Sequence, residues 1–353
     1  MTEITDALRI TRSIRLAELD PASTPGFTGD KLAGQVALAE GVERLAELQE
    51  RLFAASRAGA QDAVLLMVQG MDTSGKGGIM RHVIGQVDPQ GVAITSFKAP
   101  TAAERKRDFL WRIEQALPQP GMIGVFDRSH YEDVLIHRVR QLSPADEIQE
   151  RYGRIVEFER EVAERGIRLV KVMLHISRAE QGSRLLERID RPDKHWKYNP
   201  GDVDERERWD DYMEAYQVAI NRTARVGAPW HVVPADRKWY ARLAVRELLL
   251  EALEAVDPQW PTADFDVEVE RERLLATGDV TLPEAGEEPA PDDAAAPSEQ
   301  GKQTGKRKKA KGGKKRKADE RRKGDKQAKE RKKPKSGKQS KGAKKAKLDK
   351  QAM

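Results

Sequence analysis

Val64-Leu65-Leu66-Met67-Val68-Gln69-Gly70-Met71-Asp72-Thr73-Ser74-Gly75-Lys76-Gly77 is the stretch that decides the fold of this chain. A short apolar run leads into a G-x-x-x-x-G-K loop, the pattern of a strand feeding a phosphate-binding turn and then a helix. Glycine lets the backbone turn tightly, so that successive N–H groups can face one anion. Lys76 adds a mobile positive charge. The pattern departs at Gly77, where a Ser or Thr hydroxyl would hold magnesium. Asp72 is an odd neighbour for phosphate unless it helps hold a metal ion that itself touches phosphate. The competing reading is a glycine-rich turn with a chance lysine. It is disfavoured because strand, spacing, lysine and the helical run Ile79–Ile84 all agree.

Around this loop, strand-like and helix-like segments alternate. Strands are expected near 62–69, 91–97, 122–126, 167–176 and 229–233. Helices are expected near 76–86, 102–116, 144–165, 179–188, 204–226 and 237–255, and an earlier one carries an apolar stripe at Leu38, Val42, Leu45, Leu48 and Leu52. Alternation of this kind predicts a parallel sheet covered by helices on both faces. Ligands then bind at the carboxyl ends of the strands.

Two further motifs fall at such ends. In Gly124-Val125-Phe126-Asp127-Arg128-Ser129-His130-Tyr131-Glu132-Asp133 an apolar strand closes on an aspartate followed by an arginine. A strand-end carboxylate beside a phosphate loop is a magnesium anchor, and Arg128 could clamp a transferring phosphoryl group. Alone the motif would read equally as a helix N-cap; beside the loop, the functional reading is preferred. His130 could form a phospho-intermediate in principle, but direct transfer is expected. In Ser183–Lys197, Arg184, Arg188 and Arg191 share one helix face and Pro192 ends the helix. A cationic stripe followed by Lys194-His195-Trp196-Lys197 reads as a lid over a polyanion. A solvated salt-bridge face is the alternative, since Glu180, Glu187, Asp190 and Asp193 lie nearby.

Composition bounds the rest. The chain has 353 residues and no cysteine, so disulfides and thiol chemistry are excluded. Its first residues lack the basic-then-apolar pattern of a signal peptide. No apolar run approaches the ~20 residues that span a bilayer. A cytoplasmic protein with no membrane association is therefore expected. The net charge of +6 averages two unlike parts: residues 301–353 hold 25 Lys/Arg and 5 Asp/Glu, leaving 39 basic and 53 acidic residues elsewhere. The tail cannot bury enough apolar surface to fold alone and is read as disordered. The expected organisation is an N-terminal extension (1–30), a catalytic domain (31–258, lid about 178–205), an acidic Pro/Ala linker (259–300) and the basic tail (301–353).

Several separated motifs, in order, resemble the polyphosphate kinase 2 family. They are Gly70–Gly78, Asp88-Pro89-Gln90-Gly91, Ser96-Phe97-Lys98, Asp108–Arg112, Asp127–Asp133 and Lys194–Lys197. The resemblance spans roughly residues 10–258. It implies a P-loop kinase α/β/α sandwich, dimers or tetramers, and reversible Mg2+-dependent phosphoryl transfer between inorganic polyphosphate and a nucleotide (AMP, ADP or GDP). By that resemblance Asp72, Lys76, Asp127, Arg128 and Arg188 are catalytic, with Asp72 and Asp127 on the metal. Gly70, Thr73, Ser74, Gly75, Gly77, Gly78, Lys98, Arg184, Arg191 and Lys194 are expected to bind phosphate or nucleotide. An ATP-dependent nucleotide kinase would share the loop and lid. A nucleic-acid-binding protein would rest on the tail alone, which could bind polyphosphate or nucleic acid by counterion release.

Overall fold

Six strands assemble one sheet: β1 (Arg9–Ile10), β2 (Ala63–Gly70), β3 (Val92–Ser96), β4 (Ile123–Asp127), β5 (Ile167–His175) and β6 (Trp230–Pro234). Their spatial order is β1-β6-β5-β2-β4-β3. The five longer strands run parallel, and β1 pairs antiparallel with β6. The computed structural model describes residues 2–280. The basic tail and the later part of the expected linker lie outside the described residues.

β2 occupies the centre, and all eight of its residues are buried. Side chains alternate across a strand, and the two faces feed different clusters. Val64, Leu66 and Val68 pack with Leu45, Leu48, Leu52, Leu249 and Leu253 of helices Val42–Arg57 and Lys238–Val256. Ala63, Leu65 and Met67 pack with Phe126, Ile113, Phe158 and Val162, the last two on helix Ala145–Glu164. This is the expected sandwich of helices about a mostly parallel sheet. Among the described residues, no helix is long and apolar enough to cross a membrane.

Four details differ from the sequence reading. Residues 3–10, expected within an extension, contribute a helix and the edge strand β1, with Ile4 and Leu8 in the core. The helix expected across Leu38–Leu52 is two, Lys31–Glu40 and Val42–Arg57, broken at Gly41. A Cβ at Gly41 would fall 1.4 Å from Arg246 Nη1, so the buried guanidinium occupies that space. The helix expected at 102–116 is only the turns Glu104–Lys106 and Trp111–Glu114, because Asp108 accepts the Leu110 N–H (3.0 Å) and bends the chain between them. The helix expected at 204–226 is split at Arg208 into Gly201–Glu207 and Trp209–Thr223. Beyond the core, Asp266 caps a short exposed helix, Val267–Leu275.

Candidate active site

β2 ends at Gly70, whose φ of 151° only glycine adopts readily. A Cβ there would lie 2.7 Å from Ser74 Oγ and 2.9 Å from the Leu174 carbonyl oxygen. The loop then turns through Thr73 (φ 63°) and Gly75 (φ 124°) into helix Lys76–His82. Lys76 folds back over it, its Nζ donating to the carbonyls of Gly70 (2.7 Å) and Met71 (3.3 Å). Burial pulls the Lys76 pKa down, and Asp72 opposes that shift. Gly77 is exposed, and a side chain added there would meet nothing. Gly78 would meet only Arg242, at 3.7 Å.

β4 delivers the second group of residues beside the first. Asp127 stands level with Val68 of β2 and Ser96 of β3. Its Oδ1 is buried without a hydrogen-bond partner. Arg128 follows in the left-handed region (φ 66°). Its Nη2 donates to Asp72 Oδ1 (2.9 Å) and its Nη1 to Glu132 Oε2 (3.3 Å), so one guanidinium joins the two loops. The carboxylate of Glu132, aided by Asp72, holds Arg128 protonated against its burial. Glu132 itself is pushed up by burial, more than Arg128 draws it down. With its amide nitrogen on Glu132 Oε1 (3.0 Å), Gln69 accepts from Ser129 Oγ and N–H (2.9 Å each). A cavity of about 220 Å³ opens here, lined by Asp72, Arg128, Glu132, Asp202, Glu205 and Tyr216 among others. Asp72, Lys76, Asp127 and Arg128, named from sequence, are thus brought together. Gln69, Glu205 and Tyr216 are not among the residues expected from the sequence. Gln69 has one signal, as the polar residue next to the end of an apolar strand.

The arginine stripe on helix Arg178–Asp190 divides into three different situations. Arg184 is buried, and each of its five donors is taken: Nε by Glu180 (2.7 Å), Nη1 by the carbonyls of Thr73 (2.9 Å) and Ser74 (3.0 Å), Nη2 by those of Ala235 (2.7 Å) and Asp236 (3.0 Å). It braces the phosphate loop from outside, with all five N–H groups directed at protein acceptors. Arg188 is partly buried; it pairs with Asp202 (3.2 Å) and donates to the Lys197 carbonyl (3.0 Å). Asp202 lines the cavity, so Arg188 stands at its rim. Arg191 is exposed and pairs with Asp193 (2.7 Å) and Glu187 (3.3 Å). Lys194 pairs with Glu187. Lys98 is exposed at the end of β3, where its carbonyl accepts from Arg112 (2.8 Å). For Arg191 and Lys194 the solvated salt-bridge reading describes what is seen.

A second cavity, of about 400 Å³, includes Asp133, the last residue of the Arg128–Asp133 turn, in its lining. Arg105, Arg107, Arg112, Arg151, Arg154 and Asp133 line it. Burial pushes the Asp133 carboxyl up to about 6, against the opposing pull of Arg151 and Arg112. Arg105, Arg107 and Arg112 fall in the span expected as the helix 102–116, and Arg151 and Arg154 in that expected at 144–165.

Comparison with known proteins identifies the family. The family model for polyphosphate kinase 2 matches residues 29–261. An AMP/ADP-polyphosphate phosphotransferase of Meiothermus ruber is 46% identical over 246 residues, covering 70% of this chain and 91% of that protein. An ADP-polyphosphate phosphotransferase of Rhodopseudomonas palustris is 44% identical over 232 residues, covering 62% of this chain and 79% of that one. The crystal structure of polyphosphate kinase 2 from Arthrobacter aurescens TC1 superposes with a TM-score of 0.76 at 54% identity, covering 78% of this chain and 97% of that one. The chain belongs to the polyphosphate kinase 2 family.

Proposed function

We propose, from membership of this family, that the chain transfers a terminal phosphoryl group between inorganic polyphosphate and a nucleoside mono- or diphosphate. The observation that carries the reading is the junction of the two loops: Arg128 reaches from the end of β4 to Asp72 in the phosphate loop, beside Lys76 and the unpartnered Asp127 Oδ1. Both substrates are polyanions that repel one another. Catalysis therefore rests on positioning and on positive charge where the transferring group develops negative charge.

Magnesium fits this donor set. An ion that keeps waters and takes one or two carboxylates plus substrate phosphates needs no ready-made protein cage, and the buried Asp127 Oδ1 makes no hydrogen bond within the protein. Asp72 and Asp127 would hold it. When bound, it supplies charge that neutralises phosphate oxygens. In our assignment Lys76 leaves the Gly70 carbonyl for a phosphate oxygen, and Arg128, held by Glu132, faces the transferring group. Arg188 closes from the rim. No protein nucleophile is needed, and His130, 1% exposed, is poorly placed to become one. The two cavities, one lined in part by Arg128 and Glu132 and the other by Asp133, give each polyanion its own approach. We further place the enzyme in the cytoplasm as a homo-oligomer.

The test is a nucleotide panel. Purified full-length protein, Mg2+ and long-chain polyphosphate as sole donor are incubated with AMP, ADP, GMP or GDP, and products are resolved by chromatography. Conversion of at least one acceptor is expected. Failure with all four, together with transfer from ATP, would leave a nucleotide kinase instead.

A further inference from the structure

Beneath the Asp127–Arg128 turn lies a buried polar network that touches neither cavity. Lys171 of β5 is fully buried; its Nζ donates to Glu159 Oε2 (2.7 Å) and to the Thr223 carbonyl (3.0 Å), and lies 3.4 Å from the Tyr131 hydroxyl. The Tyr131 hydroxyl donates to Glu159 Oε1 (2.7 Å) and lies 2.9 Å from Thr223 Oγ1, which also accepts from Trp230 Nε1 (2.9 Å). Two strands and two helices thus converge on one phenol, three residues after Arg128.

Stability alone gives a weak reason for such a network. A buried ion pair can be replaced by apolar side chains of similar volume at little or no cost. Position gives a better one. Arg128 holds a left-handed backbone, which costs a non-glycine residue on the order of 1 kcal/mol. Such strain persists only where the surroundings over-determine it. Upstream, the Arg128 N–H is fixed to the Val68 carbonyl (3.1 Å). Downstream, Gln69 holds Ser129, and the Tyr131 hydroxyl in its network is the next anchor along the turn.

We propose that Tyr131, held by Glu159 and Lys171, is a positioning residue that keeps the turn in the shape that aims Arg128 at the phosphate loop. This rests on the phosphotransferase reading and extends it to residues that never meet substrate.

The test is Tyr131→Phe, which removes one oxygen and keeps the ring, made in wild-type and Arg128→Lys backgrounds. In wild type, kcat should fall by about 10–100-fold, the scale of a sub-ångström misplacement. KM for both substrates should stay within about threefold, because binding is not what the hydroxyl serves. In the Arg128→Lys background the further loss should be under about threefold, since the group being aimed is already compromised. An unchanged kcat, or an equal loss in both backgrounds, would overturn the proposal. The paired variant Glu159→Gln/Lys171→Met removes both charges together and should reproduce the kcat loss; a folded pair variant with wild-type kcat would also overturn it. Wild-type protein inactive with polyphosphate would instead fail the assigned reaction, a different result from any of these.

Discussion

Replacing Arg184 with methionine separates two roles that the sequence alone could not. The side chain keeps its length and apolar stem but loses the guanidinium. Four carbonyl oxygens, buried at Ser74 and Ala235 and part-buried at Thr73 and Asp236, then lose a partner at 2.7–3.0 Å. At about 1 kcal/mol for each acceptor left unsatisfied, the cost is about 3–5 kcal/mol. At about 2–4 °C per kcal/mol for a chain of this order of size, Tm should fall by roughly 10 °C. The Thr73 backbone, at φ 63°, loses its outer support, so kcat should fall by about 100-fold through misplacement of the loop. Arg184→Lys, with three donors instead of five, should fall between. Denaturant and thermal unfolding, run beside steady-state kinetics in polyphosphate, read both effects. A variant with unchanged Tm and kcat but a raised KM for polyphosphate would refute the bracing role and restore Arg184 to the phosphate ligands.

Two more outcomes follow from the site. Asp127→Asn should lower kcat by about 1,000-fold or more while Tm changes little, because the amide keeps the shape and Oδ1 has no hydrogen bond to lose; circular-dichroism melts beside kinetics over a Mg2+ titration check this, and a large loss of Tm would contradict it. Asp133, raised to about 6 by burial, stabilises the fold while protonated, below about pH 4, and that contribution is lost as pH rises through 6. Relative to wild type, Asp133→Asn should therefore gain stability between pH 4 and pH 8, by up to about 3 kcal/mol; urea unfolding at a series of pH values measures it, and a pH-independent difference would sink the reasoning.

What was legible in the sequence was what local chemistry decides. The five longer strands were placed to within about two residues, because buried parallel strands read as apolar runs bounded by glycine and charge. The loop and the Asp-Arg strand end were visible because each needs particular residue types at short spacing. What was missed depends on distant partners. The break at Gly41 is imposed by Arg246, 205 positions away in the chain. Nothing near Arg184 says that its guanidinium points inward at the loop rather than outward at solvent; half of its carbonyl partners belong to the segment after β6. The two-residue β1 is too short to show any period. The turns at 104–114 follow from side-chain capping by Asp108, which competes with the helical pattern that its neighbours suggest.

That short strand has a consequence of its own. All five residues of β6 are buried. Without β1, β6 would end the sheet with an apolar rim carrying unpaired backbone N–H and C=O groups. Such a rim is a template for strands of other molecules. Arg9 and Ile10 occupy part of it, opposite His231 and Trp230, and Pro234 has no N–H to offer at the far end. What these few early residues contribute is colloidal rather than chemical: they keep neighbouring molecules from pairing with a sheet whose opposite end does the work.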